Sequence, residues 1–292
     1  MNQEKLKLFI KLAETGSFNR CAQQQHISAS KLSRVIQSME EELGTTLFER
    51  DNRHVALSAE GERFLSFARE QLQHWETYRE DLRSRSGQLS GSVSIYCSVT
   101  ASYSFLYDML ARFREEQPLI QIKLHTGDPA DAIERVSQGL EDIAIAAKLP
   151  RFPPGLSFKQ FDSSPLIFIC AADDTHFNEL AKNNSRRSWA QLPMIVSERG
   201  LARERFNQWV QQKGFTPNIY SQVSGNEAIV SMVSLGCGVG LIPKIVVENS
   251  PLKNKVKEFS VQPDIAPYDV GACVQSRRLK SPLVSALWQL IK

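Results

Sequence analysis

The segment from Ser28 to Leu57, "SASKLSRVIQSMEEELGTTLFERDNRHVAL", is the part of the chain that most limits its possible folds. At about 100° per residue, its first half places five apolar side chains in one narrow sector of a helix: Leu32, Val35, Ile36, Met39 and Leu43. Ser28 is suited to the N-cap and Gly44 to the position just after the last turn. We therefore predict an amphipathic helix between Ser28 and Gly44 that buries one stripe and exposes the opposite face.

The exposed face of that helix carries short hydrogen-bonding side chains and two cations. From a helix lying in a major groove, such groups reach base edges and phosphates, and here they are Ser28, Ser30, Lys31, Ser33, Arg34 and Gln37. The acidic run Glu40–Glu42 lies at the far end of the helix, which we expect to point away from a duplex. On this helix alone, a solvated face with no nucleic-acid partner is an equally good interpretation.

The sequence upstream favours the nucleic-acid interpretation. "LKLFIKLAETGSFNRCAQQQHISAS" predicts a helix, a turn at Gly16–Ser17, a short helix near Asn19–Gln25 and a second turn that leads into the helix at Ser28. This is the pattern of a helix-turn-helix whose second helix is presented outward. The formal net charge of the chain is only +3, so the prediction depends on where the cations lie and not on their number.

The sequence downstream predicts a wing. "TTLFERDNRHVAL" contains two short strand patterns joined at Asp51–Asn52–Arg53, and a hairpin there projects Arg50, Arg53 and His54. Basic side chains beside a recognition helix suit the neighbouring minor groove or the phosphate backbone, where the negative potential is strong. Residues 1–58 are therefore predicted to form a winged helix-turn-helix domain, mainly helical, that binds double-stranded DNA.

A long helix is predicted next, from Ala59 to Ser86. Its apolar residues follow three- and four-residue spacing, interrupted by Arg79: Leu65, Ala68, Leu72, Trp75 and Leu82. Such a seam outside a globular core favours dimerisation, and we assign that role to Leu65, Leu72 and Trp75. Packing of the seam against its own domain is the alternative. The small, polar stretch "SGQLSGS" at 86–92 predicts a hinge, and residues 59–90 form the linker as a whole.

From Val93 onward the pattern changes to alternating strands and helices. Strands are predicted at "VSIYC", "IQIKLHT", "DIAIAA", "PLIFICAA", "PMIVS", "NIYSQV", "VGLIP" and "YDVGACV", and helices at 101–117, 129–138, 201–213, 225–235 and 282–290. This alternation predicts open, mainly parallel sheets flanked by helices. Crossovers near "RFPPG" and "QPDIAPY" divide the region into two α/β lobes: lobe I, residues 91–161 with 267–292, and lobe II, residues 162–266.

Ligands of such sheets bind beyond the carboxyl ends of strands, where loops lead into helices. Three of these loops bring polar side chains close to helix amides, which suits a small carboxylate. They carry Ser98, Thr100 and Ser102 in the first loop, Thr126 in the second and Asn226 in the third. Each loop also has a purely structural interpretation, because Asp128 is suited to cap a helix and Ser224 with Glu227 forms an ordinary capping box.

No catalytic or metal chemistry is indicated. The five histidines lack metal-ligand spacing, "GCGVG" runs from helix into strand, the reverse of a dinucleotide-binding turn, and the nucleophile-elbow motif is missing. We therefore expect no enzyme activity, no metal and no cofactor. The longest apolar run, Leu166–Ala172, is too short to span a membrane, and the N-terminus lacks the apolar centre of a signal peptide, so a cytoplasmic protein is expected.

The five cysteines, at positions 21, 97, 170, 237 and 273, include no C-x-x-C pair. Most have apolar neighbours, so we expect reduced, buried thiols. A thiol redox switch is the alternative interpretation.

Taken together, these segments resemble a LysR-type transcriptional regulator along essentially the whole chain. The resemblance rests on "FIKLAETGSFNRCAQQQHISASKLSRVIQSMEEELGTTLFER" and "SLGCGVGLIP". It implies a winged helix-turn-helix, a long linker helix and a two-lobed effector domain like a type II periplasmic binding protein. It also implies a homodimer that pairs into a homotetramer, and regulation through RNA polymerase at operator DNA in the nucleoid.

Further segments, "RDNRHVALSAEGE", "CSVTASYS", "IKLHTGDPADA" and "VVENSP", are similar to members of the family that activate branched-chain amino acid biosynthesis. This similarity implies the inducers 2-acetolactate and 2-aceto-2-hydroxybutyrate, a target gene for acetohydroxy acid isomeroreductase, and repression of the regulator's own gene. In that case the serines and threonine of the first loop would hold the inducer's carboxylate, and Thr126 or Asn226 its hydroxyl or ketone. "SERGLARER" adds Ser197 and Arg203, although a surface position is the alternative for Arg203.

Other classes of protein stay open at this stage. A LysR-type regulator of another small-carboxylate pathway, or a regulator switched by its thiols, would keep the DNA-binding half. A free-standing solute-binding protein would explain the two lobes but leaves the first 60 residues without a purpose.

Overall fold

The computed structural model describes residues 1–50, 55–84, 89–175, 177, 179, 185–259 and 261–291. The chain divides into two compact units, Met1–Gly87 and Gln88–Lys292. The boundary between them falls within the Gly- and Ser-rich stretch that the sequence predicts as a hinge.

The N-terminal unit contains α1 (Gln3–Thr15), α2 (Phe18–Gln24), α3 (Ala29–Leu43), β1 (Phe48–Arg50), β2 (Val55–Leu57) and α4 (Ala59–Ser84). Asn2, Ser17 and Ser28 cap the first three helices, and each side chain accepts a hydrogen bond from a backbone N–H of the first turn. Gly16 and Gly44 end α1 and α3 in the left-handed conformation, with φ of 59° and 69°. Both predicted ends of α3 are thus confirmed.

The predicted apolar stripe of α3 lies in the core of this unit. Leu32, Ile36 and Met39 are fully buried and Val35 is partly buried. Leu43 is 41% exposed, so its assignment to the buried stripe is wrong. It is the last residue of α3, and the chain turns away from the core at the following glycine.

The same core is completed by the other helices and the hairpin. Phe9 of α1 packs against Phe48 of β1 and Phe64 of α4, with ring centroids 5.3 and 4.9 Å apart. Gly61 lets α4 lie directly against the chain before β1, because a Cβ there would be 2.1 Å from the carbonyl oxygen of Leu47. The start of α4 is therefore part of the DNA-binding fold as well as of the linker.

Lobe I of the C-terminal unit is a five-stranded sheet with flanking helices. Its elements are β3 (Gly91–Cys97), α5 (Val99–Ser104), α6 (Leu106–Glu116), β4 (Ile120–Thr126), α7 (Ala132–Ser137), β5 (Ile143–Ala147), β6 (Leu156–Ser164), β12 (Tyr268–Gln275) and α12 (Pro282–Leu290). The strand order is β4-β3-β5-β12-β6.

A buried ion pair holds the C-terminal segment against this sheet. Arg278, in a 3₁₀ turn before α12, is buried and donates to the carboxylate of Asp142. The same carboxylate accepts hydrogen bonds from the N–H and the hydroxyl of Ser94. These bonds tie the C-terminal segment to β3.

Lobe II has the same plan. Its elements are β7 (Leu166–Ala171), α8 (Arg186–Gln191), β8 (Pro193–Ser197), α9 (Gly200–Lys213), β9 (Asn218–Val223), α10 (Asn226–Ser234), β10 (Val239–Pro243), α11 (Lys244–Glu248) and β11 (Val256–Phe259). The strand order is β11-β7-β10-β8-β9. Its core is aromatic, since Phe168, Trp189 and Trp209 lie within 5.0 Å of one another between ring centroids.

The prediction of mainly parallel sheets is wrong. In each sheet two neighbouring strand pairs are parallel and two are antiparallel. The antiparallel pairs all involve β7 or β12, the first strand that the chain forms after each crossing between the lobes. A strand that enters from the opposite lobe runs against its neighbours, so the crossovers themselves produce the mixed sheets.

Several boundaries also differ from the prediction. The helix expected at 101–117 is two helices separated at Phe105, and the helix expected at 129–138 begins as a 3₁₀ turn. β6 extends lobe I to Ser164, so the lobes divide at Pro165 and not after residue 161. β6, α8, α11 and β11 were absent from the prediction.

Candidate functional sites

The outer face of α3 presents the side chains predicted to bind DNA. Ser28, Ser30, Lys31, Arg34 and Gln37 are exposed, and Ser33 is half-buried. The hydroxyl of Ser28 is used structurally, because it accepts the N–H of Lys31 at 3.1 Å. The DNA-binding roles assigned to this face stay predictions.

The acidic end of α3 has structural partners. The Glu40 carboxylate accepts the N–H groups of Leu47 and Phe48 at 2.8 and 3.2 Å, which fixes β1 to the helix. Glu42 accepts a hydrogen bond from the N-terminal ammonium, and this bond lowers the pKa of its carboxyl. Glu41 accepts a hydrogen bond from the side-chain amide of Gln37 at 3.1 Å, so all three acids are engaged within the unit, at the end opposite the basic side chains.

The wing is described only in part. β1 and β2 pair antiparallel, with Phe48 opposite Leu57 and Arg50 opposite Val55, so the two predicted strands are confirmed. Residues 51–54, including Arg53 and His54, lie outside the described residues, as does the side chain of Arg50. The roles assigned to Arg50 and Arg53 stay predictions.

The residues of the predicted dimerisation seam on α4 are buried to different degrees. Leu65 and Leu72 are partly buried against the core of their own unit, beside fully buried Ala68, which is the alternative that the sequence left open for them. Trp75, one turn further along the helix than Leu72, is 44% exposed. Leu65 and Leu72 thus contact their own unit while staying partly exposed, and the dimer role assigned to them stays a prediction.

Trp75 belongs to an exposed apolar stripe. Phe67, Tyr78 and Leu82 share its face, and each of the four side chains is between 44% and 55% exposed. Their spacing of eight, three and four residues keeps them within a sector of roughly 80°. We call these four residues the α4 stripe.

A cavity lies between the two lobes, beyond the carboxyl ends of β3, β5 and β8. Its volume is about 130 Å³, which leaves room for roughly ten water-sized groups. Much of its wall is apolar and comes from Phe105, Ile133, Ile145, Leu149, Ile245, Val246 and Val270. Such a cavity suits a small molecule with about ten non-hydrogen atoms and at least one alkyl group.

Four of the predicted effector-binding residues line this cavity: Ser98, Thr100, Ser197 and Asn226. The other three do not line it. Thr126 is exposed at the end of the edge strand β4. The hydroxyl of Ser102 donates to the carbonyl oxygen of Val99 at 2.6 Å. Arg203 donates to the carbonyl oxygen of Ser197 and to the side-chain oxygen of Gln222, at 3.1 and 2.8 Å, and thereby braces lobe II.

Thr100 joins the two lobes. Its N–H and its hydroxyl both donate to one carboxylate oxygen of Glu227, at 2.9 and 2.6 Å. Thr100 is only 3% exposed and lies on α5 of lobe I, whereas Glu227 lies on α10 of lobe II. The hydroxyl therefore has a protein partner in the opposite lobe, and the prediction that it holds an inducer carboxylate stays untested.

A second contact also joins the two lobes. Arg199 of lobe II pairs with Asp131 and, at 3.5 Å, with Asp128 of lobe I, and the hydroxyl of Ser224 donates to Asp128 at 2.9 Å. Gly200 allows the close approach, since a Cβ there would be 2.8 Å from that of Ala130. We call this contact and the Thr100–Glu227 contact together the interlobe latch.

The starts of α9 and α10 offer backbone donors to the cavity. Gly200, Leu201, Gly225 and Asn226 all line it, and no side chain among the described residues caps either helix. Uncapped first-turn N–H groups and the helix dipole together favour an anion. Lobe II therefore presents two helix starts where a small carboxylate can bind, with Ser197 beside them.

Sequence reasoning missed two buried polar residues of the cavity wall. Ser164 and Tyr268 are 4% and 7% exposed and face each other across the β6–β12 pair. Burial raises the pKa of Tyr268, so its phenol stays neutral and can donate a hydrogen bond.

The cysteines are poor candidates for a redox switch. Burial raises the pKa of Cys97 and of Cys273 to about 12, and it also raises the pKa of Cys21 and Cys170. Only the thiolate form reacts readily with oxidants. Cys237 alone of the five is partly exposed.

Within the ranges that the structure describes, no helix is long and apolar enough to cross a membrane, and no cluster of three histidine, cysteine or acidic side chains is placed to hold a metal ion.

The helix-turn-helix unit and the two-lobed unit both match one protein family. Residues 3–62 match the bacterial regulatory helix-turn-helix proteins of the lysR family, and residues 86–292 match the LysR substrate binding domain. The chain therefore belongs to the LysR family of DNA-binding transcriptional regulators. It is similar over its whole length to the HTH-type transcriptional activator IlvY of Haemophilus influenzae, with 40% identity over 288 residues that make up 98% of each chain.

The HTH-type transcriptional regulator IlvY of Escherichia coli is likewise 40% identical, in an alignment of 294 positions that covers 100% of this chain and 99% of that protein. The crystal structure of CbnR, a LysR family transcriptional regulator, superimposes with a TM-score of 0.66 at 18% identity, covering 99% of this chain and 98% of that chain. The predicted fold class, a winged helix-turn-helix followed by a two-lobed effector domain, is thus confirmed.

Proposed function

We propose that this regulator activates a gene of branched-chain amino acid biosynthesis, that for acetohydroxy acid isomeroreductase, when 2-acetolactate or 2-aceto-2-hydroxybutyrate binds between its lobes. The observation that carries the proposal is the full-length similarity to IlvY proteins at 40% identity. In this role the protein also represses its own gene, works through RNA polymerase in the cytoplasm at the nucleoid, and needs no enzymatic activity, metal or cofactor.

The chemistry of the cavity supports this class of inducer. A 2-aceto-2-hydroxy acid has a carboxylate, a tertiary hydroxyl, a ketone and small alkyl groups on a skeleton of nine or ten non-hydrogen atoms, which the cavity volume of about 130 Å³ accommodates. The starts of α9 and α10, with Ser197 and Asn226, suit the carboxylate. The apolar wall around Ile133 and Val246 suits the alkyl groups.

The proposal is tested by thermal unfolding of the full chain with added small acids. A ligand that binds only the folded protein raises the Tm by mass action. We expect 2-acetolactate and 2-aceto-2-hydroxybutyrate to raise the Tm of the C-terminal unit, and pyruvate and valine to leave it unchanged at the same concentration. A rise with an unrelated small carboxylate instead would assign the regulator to another pathway.

The assembly proposed for this protein is a homodimer that pairs into a homotetramer, with the α4 stripe as the dimer contact. Four apolar side chains on one exposed face of a long helix are a surface that a second copy can bury. A symmetric dimer also presents two recognition helices, which suits a palindromic operator.

Arg34→Ala is expected to relax base discrimination at one or two operator positions, by about 1–3 kcal/mol for a lost bidentate base contact. Arg34 is exposed near the middle of the DNA-facing side of α3, and its Nε makes only a long bond of 3.4 Å to the carbonyl oxygen of Ser30. Binding to a panel of operator variants at fixed salt measures this effect.

Arg63→Ala serves as the matched control, because Arg63 is an exposed cation of the same unit on α4. It should leave base preference unchanged. An Arg34→Ala protein with wild-type affinity and wild-type preference would show that α3 does not read bases through this side chain.

A further inference from the structure

The hydroxyl of Ser164 is a buried polar group in the wall of the cavity. Ser164 is 4% exposed, and no group among the described residues hydrogen-bonds its Oγ. Buried hydroxyls in native proteins almost always have a partner, because an unbonded one loses its hydrogen bonds to water without compensation. Ser164 lines the cavity, so a molecule bound there is in a position to supply that partner.

Ser164 occupies the hinge between the lobes. It is the last residue of β6, it pairs in register with Tyr268 at the start of β12, and these two strand ends are where the chain leaves and re-enters lobe I. The carbonyl oxygen of the next residue, Pro165, accepts the N–H of Lys244 in lobe II at 2.8 Å. A ligand atom bonded to Ser164 therefore lies where both lobes meet, in the same cavity as the starts of α9 and α10.

We propose that Ser164 hydrogen-bonds an uncharged oxygen of the effector, its ketone or its tertiary hydroxyl, and so selects acids that carry such an oxygen. This inference rests on the proposed function and assigns one residue of the same site. A single hydroxyl has one hydrogen to donate and cannot replace the hydration shell of a carboxylate, which the two uncapped helix starts are better placed to hold. An acid without the matching oxygen leaves Ser164 unpaired, and a site of this kind discriminates strongly against such analogues.

The test removes the Ser164 hydroxyl from the protein and, separately, the ketone or the tertiary hydroxyl from the ligand. Dissociation constants are measured by titration calorimetry on the full chain, wild type and Ser164→Ala, with three acids. The acids are 2-acetolactate, 2-hydroxy-2-methylbutanoate, which lacks the ketone, and 2-methyl-3-oxobutanoate, which lacks the tertiary hydroxyl. We expect Ser164→Ala to weaken 2-acetolactate binding about tenfold. The dissociation constant of the analogue that lacks the oxygen bonded by Ser164 should be the same for the variant and the wild type.

Ser104→Ala is the matched control. The Ser104 hydroxyl is also buried and unbonded among the described residues, but Ser104 does not line the cavity. It should bind all three acids as the wild type does, and both variants should unfold at close to the wild-type Tm.

The outcomes separate the two proposals. If the wild type and Ser164→Ala bind 2-acetolactate equally well, the proposed inducer class is retained and the proposed role of Ser164 is disproved. An equal loss with all three acids also disproves it, since the serine would then act on the fold or on the carboxylate. If the wild type binds none of the three acids, the inducer class is wrong and the inference falls with it.

Discussion

Trp75→Glu should separate the assembled protein into smaller oligomers at micromolar concentration. Trp75 is 44% exposed in the α4 stripe, with its ring 6.1 Å from that of Tyr78. A carboxylate at that position would lose its hydration in the apolar dimer contact, which destabilises the contact by several kcal/mol. In a two-fold symmetric dimer the substitution is present in both copies, so this penalty applies twice. Loss of about 3 kcal/mol or more raises the dissociation constant at least roughly a hundredfold.

Sedimentation velocity on the full chain measures this effect, and operator affinity should fall with it because a lone recognition helix contacts only one half-site. Trp75→Phe retains an aromatic side chain and should preserve the assembly. Ser66→Glu adds the same charge to an exposed position on the opposite side of α4 and should also preserve it. Unchanged sedimentation of Trp75→Glu would mean that the α4 stripe is not the dimer contact.

The parts of the fold that were predicted well are those set by local sequence. α3 begins at the Ser28 cap, keeps three buried residues at helical spacing and ends at Gly44 in a conformation that favours glycine. None of these features depends on residues far along the chain. The strands with long apolar runs, such as β5 and β7, were found for the same reason.

The elements that were missed depend on distant partners. β6 is largely half-exposed and includes Lys159 and Asp162, so its sequence has little strand character of its own. It is held by pairing with β12, more than a hundred residues later, from Leu156 to Ser164. The direction of β7 and β12 is likewise fixed by the crossovers between lobes, and no local pattern encodes it.

In the candidate effector site, too, the residues that were predicted are those set by local sequence, and the residues that were missed depend on distant partners. Ser98 and Asn226 were found because each lies where a strand leads into a helix, as the rule for α/β sheets requires. Thr126 satisfies that rule too, yet β4 is an edge strand and its end faces solvent. Ser164 and Tyr268 obey no such rule, since they reach the cavity only when the two hinge strands pair.

Glu227→Ala should make the regulator require far more inducer while operator binding stays normal. The Glu227 carboxylate accepts two hydrogen bonds from Thr100 across the cavity. Its loss leaves the N–H and hydroxyl of Thr100, a residue only 3% exposed, without a partner in the closed arrangement. Two bonds to a charged acceptor contribute about 1.5 kcal/mol each at the low end, or roughly a hundredfold in the ratio of closed to open lobes.

Thr100→Val should have a smaller effect, about tenfold, because the backbone N–H of that residue still reaches Glu227. Combined with Glu227→Ala it should add little, since both changes remove the same contact. Glu248→Ala, an exposed carboxylate on α11 of the same lobe, is the matched control. Inducer affinity by calorimetry and activation of a reporter gene are the two measurements.

These results would bear directly on how the inducer acts. A ligand shifts the equilibrium between open and closed lobes only by its difference in affinity for the two arrangements. The interlobe latch sets the fraction of protein that is closed before any ligand binds. Weakening the latch should therefore raise the inducer requirement and leave the contacts of α3 with DNA unchanged. An unchanged or tighter inducer response in Glu227→Ala would show that this carboxylate opposes an anionic ligand and does not hold the lobes closed. Loss of operator binding would show that the substitution had damaged the fold.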